Sequence, residues 1–314
     1  MPKKRVQEEY PKTKWGLLVG ILVIVFIIGA IFISIIVSLF DTPSQKILGS
    51  GNVAVIKVEG AIFVQKQSLF GDSSASSTEI VEFIEQASED SDIDAILFEI
   101  NSPGGSAVAS DEIVSAIKKV DKPTISLIRE VGASGAYWVA SATDHIVANR
   151  MSLTGSVGVI GSYLEFSGLL SDYNLTYRRF VAGKYKDIGD PFRTMTPSEQ
   201  EIIQDLLNEY HYFFSSDVIE NRNIPKSNVD EITTGLFFSG RKAKELGLID
   251  ELGGKDEAEE YLEEKLNAEI KFIEYKKQPT FSDLLVGLFK ENSFLIGRGI
   301  GSTIFQEKDF GILT

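Results

Sequence analysis

Hydrophobic positions along the chain fall into three rhythms. From Trp15 to Phe40 nearly every residue is Leu, Ile, Val, Phe, Ala or Gly, and none of the 26 is charged. As a helix such a run measures roughly 39 Å, against about 30 Å of bilayer hydrocarbon. A cleavable signal peptide has an apolar region of only about 7–15 residues, so the pattern predicts a membrane-spanning helix over 15–40. After a polar linker, 41–52, short Ile- and Val-rich runs at 53–58, 93–101, 123–130 and 145–148 alternate with helically spaced segments at 78–88, 108–119 and 134–142. Strands alternating with helices require crossover connections, which predicts an α/β fold with a mostly parallel, buried sheet. The third rhythm comprises a strand at 175–181, a long helix from Pro197 to about Asn221, a helix at 255–267 and a strand at 270–274. Thr196 supplies the cap of the long helix and Pro197 its first position. The Ser- and Gly-rich stretch 65–77 reads as a mobile loop. The tail, 276–314, reads as a packing arm or oligomer contact.

Charge adds an orientation. Lys3, Lys4, Arg5, Lys12 and Lys14 outweigh Glu8 and Glu9 before the apolar run, and Asp41 with Lys46 follows it. Positive charge stays on the cytoplasmic side, so residues 1–14 are expected inside and the remainder outside. The chain's net charge of −14 includes +3 on residues 1–14, so the expected extracytoplasmic part carries −17, which disfavours nucleic-acid binding, since that needs a basic face. Cysteine is absent. That excludes a thiol nucleophile and thiolate metal sites, and a core of this size needs no disulfide.

Candidate chemistry sits in small-residue loops. Asn101-Ser102-Pro103-Gly104-Gly105 ends one strand, where α/β folds bind ligands, and its glycines allow close backbone approach. Ser134 lies between Ala133 and Gly135, where another strand gives way to a helix. A hydroxyl there serves either as a helix cap or as a nucleophile beside an oxyanion-stabilising N–H. The spacing departs from the G-x-S-x-G elbow, because position 136 is alanine. Only His145 and His211 could complete a histidine triad; the first reads as a strand-edge residue and the second as aromatic packing. Neither supports a metal site. A lysine is then the best candidate for the base, and burial against apolar groups lowers its ordinary pKa, near 10.4, by several units. Lys184 and Lys186 in Gly183-Lys184-Tyr185-Lys186-Asp187 are both open to that role, since residues two apart share a face in extended chain.

These motifs, with Ala133 to Trp138 and the run Thr154-Gly155-Ser156-Val157-Gly158-Val159-Ile160-Gly161, resemble the signal peptide peptidase A family over roughly residues 53–274. The stretch 239–250 also resembles a segment shared by Clp-like and crotonase-like folds. The resemblance implies a Clp protease/crotonase-like fold and a membrane-anchored serine protease with a Ser–Lys dyad that needs no cofactor or metal. It implies Ser134 as nucleophile, Lys186 as general base, the Gly105 and Gly135 N–H groups as oxyanion hole, and Ser156 as the residue orienting the lysine. Tyr137, Trp138 and Val157 are expected pocket walls. Its short form implies one catalytic domain, 53–275, assembled into a homo-oligomeric ring at the bilayer, with signal peptides or other membrane-associated peptides as substrates. A protease dedicated to one membrane partner, as in the stomatin-linked members, is the alternative within that chemistry. An acyl-CoA-handling crotonase-like enzyme and an inactive scaffold are the alternatives outside it.

Overall fold

The computed structural model describes residues 15–40, 50–65 and 74–276. The basic tail, linker positions 41–49, loop positions 66–73 and the arm from 277 onward lie outside the described residues. Trp15–Phe40 forms one helix, α1, along the whole of the predicted run. Its side chains are described at 19–29, 31 and 32 alone. Across the described side chains no helix is long and apolar enough to cross a membrane.

A compact unit, Ile47–Lys276, is separate from α1. Its elements run β1 (Val53–Glu59), β2 (Ala61–Phe63), β3 (Ser74–Ser76), α2 (Ser77–Glu89), β4 (Ala95–Ser102), α3 (Ala107–Ile117), β5 (Thr124–Ala133) and α4 (Gly135–Ser141). They continue with β6 (His145–Ala148), β7 (Leu153–Gly155), α5 (Ser167–Asp172), α6 (Pro197–Asn221), α7 (Lys226–Ile232), β8 (Phe237–Ser239), α8 (Gly240–Leu246), β9 (Glu251–Leu252), α9 (Lys255–Leu266) and β10 (Phe272–Tyr275).

Strands β10, β1, β4, β5, β6 and β9 lie in that order, each pair parallel. The sheet is buried on both faces because its strands alternate apolar residues to both sides. From β1, Ala54, Ile56 and Val58 join the larger core, which α2, α3, α4 and α6 cover, while Val53 and Val55 join the smaller one beneath α9. Strand β5 is longer than its neighbour and divides its edge. Residues Ile125 to Ile128 pair with β6, whereas Val131, Gly132 and Ala133 pair with Leu153, Thr154 and Gly155 of β7. Strand β8 closes β7 in the antiparallel sense. This split brings the ends of β4, β5 and β7 together, and each end carries one of the small-residue loops.

The predicted strand at 175–181 does not form. That stretch is irregular and exposed, and from 161 to 194 no residue is buried. A strand gains stability from a ladder partner and a face to cover; within one chain this segment has neither. Fixed in its place are polar and charged contacts near α6. Thr196 caps that helix and Glu199 returns the capping box, as Thr196-Pro197-Ser198-Glu199 predicts.

Glu199 is also gripped by Arg193 through both guanidinium nitrogens, at 2.5 and 2.8 Å. The Arg193 hydrogen bonds, then those from Thr196, lower the carboxyl from its ordinary 4.5 to about 2. A carboxyl depressed by folding contributes stability above its unfolded pKa and loses it as pH falls through the folded one. The stability advantage of the wild type over Glu199→Gln should therefore be constant above about pH 5 and shrink toward zero near pH 2. Urea unfolding of both proteins across that range checks it, and a pH-independent difference would contradict the ion pair.

Candidate active site

Among the described residues five hydroxyl side chains stand at helix N-caps, and Ser134 is the exception among them. Ser76, Ser106, Thr196 and Ser239 have extended backbone, and each side chain accepts a hydrogen bond from the N–H three residues on. Ser134 has φ 53° and ψ −129°, and its side chain makes no cap hydrogen bond. Ordinary L-residues hold such a backbone at a cost of about 1–3 kcal/mol. Capping therefore does not explain the serine. What holds it in place is the sheet: the Ser134 N–H donates to Gly155 O at 2.9 Å, and its carbonyl accepts from Trp138 N at 3.0 Å.

The surrounding glycines are demanded by packing. A Cβ at Gly135 would lie 2.2 Å from Ser110 Oγ, on α3. One at Gly104, where φ is +93°, would lie 2.7 Å from Gly135 N and 2.9 Å from Ser134 Cβ. One at Gly105 would strike the Ile62 carbonyl oxygen at 2.1 Å. The loop after β4 is thus pressed against the first turn of α4. The Gly104 N–H is taken by Ser102 Oγ at 3.1 Å, and the Ile62 backbone bonds to Gly104 O and Ser106 N. Among the described residues the Gly105 and Gly135 N–H groups meet no acceptor. They are also close to one another, since a Cβ on Gly135 would come within 3.5 Å of Gly105 N. Two unengaged donors beside a half-buried serine hydroxyl are what an oxyanion site requires.

Ser156 follows Gly155, which is the register partner of Ala133, so the two serines leave adjacent strands side by side. It too has positive φ, 55°, and its N–H is held by Leu236 O at 2.8 Å. The structure therefore brings together Ser134, Gly105, Gly135 and Ser156. Among the described residues no hydrogen bond joins Lys186 to them: that residue is exposed, in the turn that follows Gly183. Its competitor has a different environment. The Lys184 ammonium lies over the Tyr185 ring, 4.6 Å from its centroid. A hydrogen bond to Tyr185 holds its pKa above the ordinary lysine value, opposite to what a base needs.

The three expected pocket walls separate. Trp138 lines a mostly apolar groove of about 400 Å³ with Ala107, Val108, Tyr210 and Phe213, and with the polar Asp111, Ser216 and Asp217. Its ring stacks on Phe214 at 5.1 Å and its indole N–H donates to Asp217 at 3.0 Å. Tyr137 and Val157 are fully buried and offer no surface to a substrate. The Tyr137 hydroxyl donates to Leu248 O at 2.7 Å, and burial pushes its pKa upward. A short helix packed on a sheet turns only one side outward, and neighbouring letters do not reveal which. A larger cavity, about 730 Å³, lies between α2 and α3, and none of the predicted site residues lines it. His145 stacks on Tyr261, and His211 meets the Thr233 carbonyl at 2.9 Å, so neither approaches Ser134. The expected aromatic packing around His211 is partial, since Tyr212 and Phe213 are exposed. A scaffold residue that the sequence did not single out is Ser110, which fixes glycine at 135; Gly155, part of a motif already quoted, closes β7 with a φ of +80°. Their signal is a glycine or small residue at each point where two loops touch.

The profile of peptidase family S49 matches residues 116–269. A protein of Methanocaldococcus jannaschii named as a protease is 30% identical over 295 residues, 92% of this chain and 94% of its own length. One of Enterococcus faecium, named as a signal peptide peptidase SppA, is 32% identical over 239 residues, covering 74% of this chain and 70% of that one. Among solved structures, a mutant of the 1510-N membrane-bound stomatin-specific protease aligns over 68% of this chain and 85% of its own. At 17% identity and a TM-score of 0.44 that likeness is too loose to bear on fold or function.

Because Ser134 caps nothing, Ser134→Ala should change stability by less than about 0.5 kcal/mol, whereas Ser239→Ala, which removes a working cap, should cost about 1 kcal/mol. Urea midpoints of the two variants decide it. A loss at Ser134 as large as at Ser239 would return that serine to an ordinary cap.

Proposed function

The chain belongs to peptidase family S49, the signal peptide peptidase A family, and we propose that within it this protein is a membrane-anchored endopeptidase with a Ser134–Lys186 dyad. The family assignment makes it a serine-type protease. The observation that carries the finer reading is the backbone of Ser134, strained and uncapped beside two unengaged N–H groups. In this reading Ser134 Oγ attacks the scissile carbonyl while neutral Lys186 takes the hydroxyl proton. The Gly105 and Gly135 N–H groups hold the oxyanion. Lysine then returns the proton to the leaving amine, and water hydrolyses the acyl-enzyme. Ser156 orients the lysine. The fold implied is of the Clp protease/crotonase type.

Helix α1, uncharged over 26 residues, anchors the protein with the basic tail in the cytoplasm and the catalytic unit outside. Its substrates are signal peptides left in the membrane, a role supported by the name of the Enterococcus relative and by the apolar groove beside Trp138. The exposure of Lys186, with no hydrogen bond to Ser134 within one chain, supports a ring in which Lys186 of one subunit meets Ser134 of the next. The exposed apolar side chains of the lysine segment, among them Phe180 at 97% and Ile160 at 87%, give that ring a surface to bury.

Ser134→Ala and Lys186→Arg should both abolish cleavage of synthetic signal peptides, since guanidinium does not give up its proton, while Lys184→Ala retains it. Mass spectrometry of the products reads all three. Near wild-type turnover by Ser134→Ala removes the nucleophile assignment, and dependence on Lys184 instead of Lys186 reverses the base. Co-expressed Ser134→Ala and Lys186→Ala chains should regain part of the activity in verified mixed rings. No recovery there would place the dyad within one chain.

A further inference from the structure

The segment that carries Lys186 is built without a core. Across 161–194 its apolar residues face outward, yet three charged side chains at its end are largely covered: Arg193 is 16% exposed, Asp187 11% and Glu199 6%. Asp187 directly follows Lys186. Its Oδ2 accepts from Arg193 Nε at 2.8 Å and also meets the Arg179 guanidinium. Arg193 donates as well to the Asp187 carbonyl at 2.8 Å, then reaches both oxygens of Glu199. Glu199 closes the capping box of α6. The far half of α6 is fixed to α4, the helix that follows Ser134, through Phe214 on Trp138, Asp217 to the Trp138 indole, and Asn221 to Ser141.

We propose that Arg193, bridging Asp187 to Glu199, is a positioning residue that fixes the Lys186 turn to α6 and neutralises the carboxylate beside the lysine. This rests on the Ser–Lys reading above. The geometry carries two consequences. A planar guanidinium making paired bonds to a carboxylate sets direction as well as distance, so the turn is held relative to the helix that packs behind the nucleophile. A carboxylate one residue from a base would favour its protonated form, and Arg179 with Arg193 takes up that charge. Charged and titratable groups around this turn also include Lys184, Tyr185, Asp190 and Tyr177. Asp190 is itself engaged by the Tyr177 hydroxyl and the Phe192 N–H, and the first of these bonds lowers its carboxyl most. Asp187 is the carboxylate that both arginines contact directly.

The test is the rate of labelling by a fluorophosphonate probe, against pH, on the full-length chain in detergent, with circular dichroism and gel filtration confirming fold and assembly. Arg193→Ala should move the midpoint of the pH profile upward by about one unit and lower the plateau rate about tenfold. Adding Asp187→Asn to it should return the midpoint to the wild-type value without restoring the plateau. Arg193→Lys, which keeps the charge but cannot bridge both carboxylates, should keep the midpoint and lose the plateau; it also serves if the alanine variant does not fold. Lys186→Ala is measured beside them. If it labels as fast as wild type, the dyad fails and the clamp with it. If Lys186 is required but both the midpoint and the plateau of Arg193→Ala and Arg193→Lys match wild type, the clamp alone is overturned.

Discussion

At the end of β5 the chain must pass from sheet to helix within a single residue, and the rest of the site follows from how it does so. Parallel pairing holds Ala133 opposite Gly155 and sends the Ser134 N–H to the Gly155 carbonyl. Immediately afterwards α4 begins, packed against α3 so closely that position 135 has no room for a side chain. Between these two fixed points Ser134 adopts φ 53°. A residue so placed turns its side chain away from the helix N-terminus it would otherwise cap, leaving the hydroxyl and the adjacent N–H groups for something outside the fold. The strain, of order 1–3 kcal/mol, is carried by a large two-faced core rather than relieved locally.

The other half of the chemistry obeys the opposite rule. Ser134 is fixed by backbone hydrogen bonds to the sheet and to α4 and by the close approach of the Gly104 loop, whereas Lys186 sits in a stretch with no buried residue, restrained by ion pairs and one helix cap. Exposed ion pairs contribute little stability as a class; bidentate pairs that are largely covered contribute direction. A segment of this kind suits a surface that completes itself against a second copy. The family assignment describes a serine-type protease; the proposed dyad draws its two members from segments built by these two different rules.

Much of this was legible in the letters, for identifiable reasons. Strand β6 and helix α6 fall where the pattern places them, because one is a short apolar run between turns and the other opens on Thr196-Pro197 and closes its box with Glu199. The parallel sheet followed from alternation alone. Local sequence left Ser134 evenly poised between cap and nucleophile, since both uses favour serine before glycine; the dihedral angles set it apart from the capping serines. The strand expected at 175–181 failed because β propensity without a partner edge has nothing to act on. Tyr137 and Val157 were misplaced because adjacency to a site does not specify which side of a short element faces the core. Tyr137, for one, is turned inward onto Leu248, far along the chain.

The central claim is that the conformation of Ser134 marks an activated nucleophile. Its most direct measurement is peptide mapping of the full-length protein after reaction with a fluorophosphonate. The account predicts a single adduct, on Ser134, that does not form in heat-unfolded protein or in Lys186→Ala. An adduct on another residue, or equal modification of Ser134 in the unfolded chain, would contradict it.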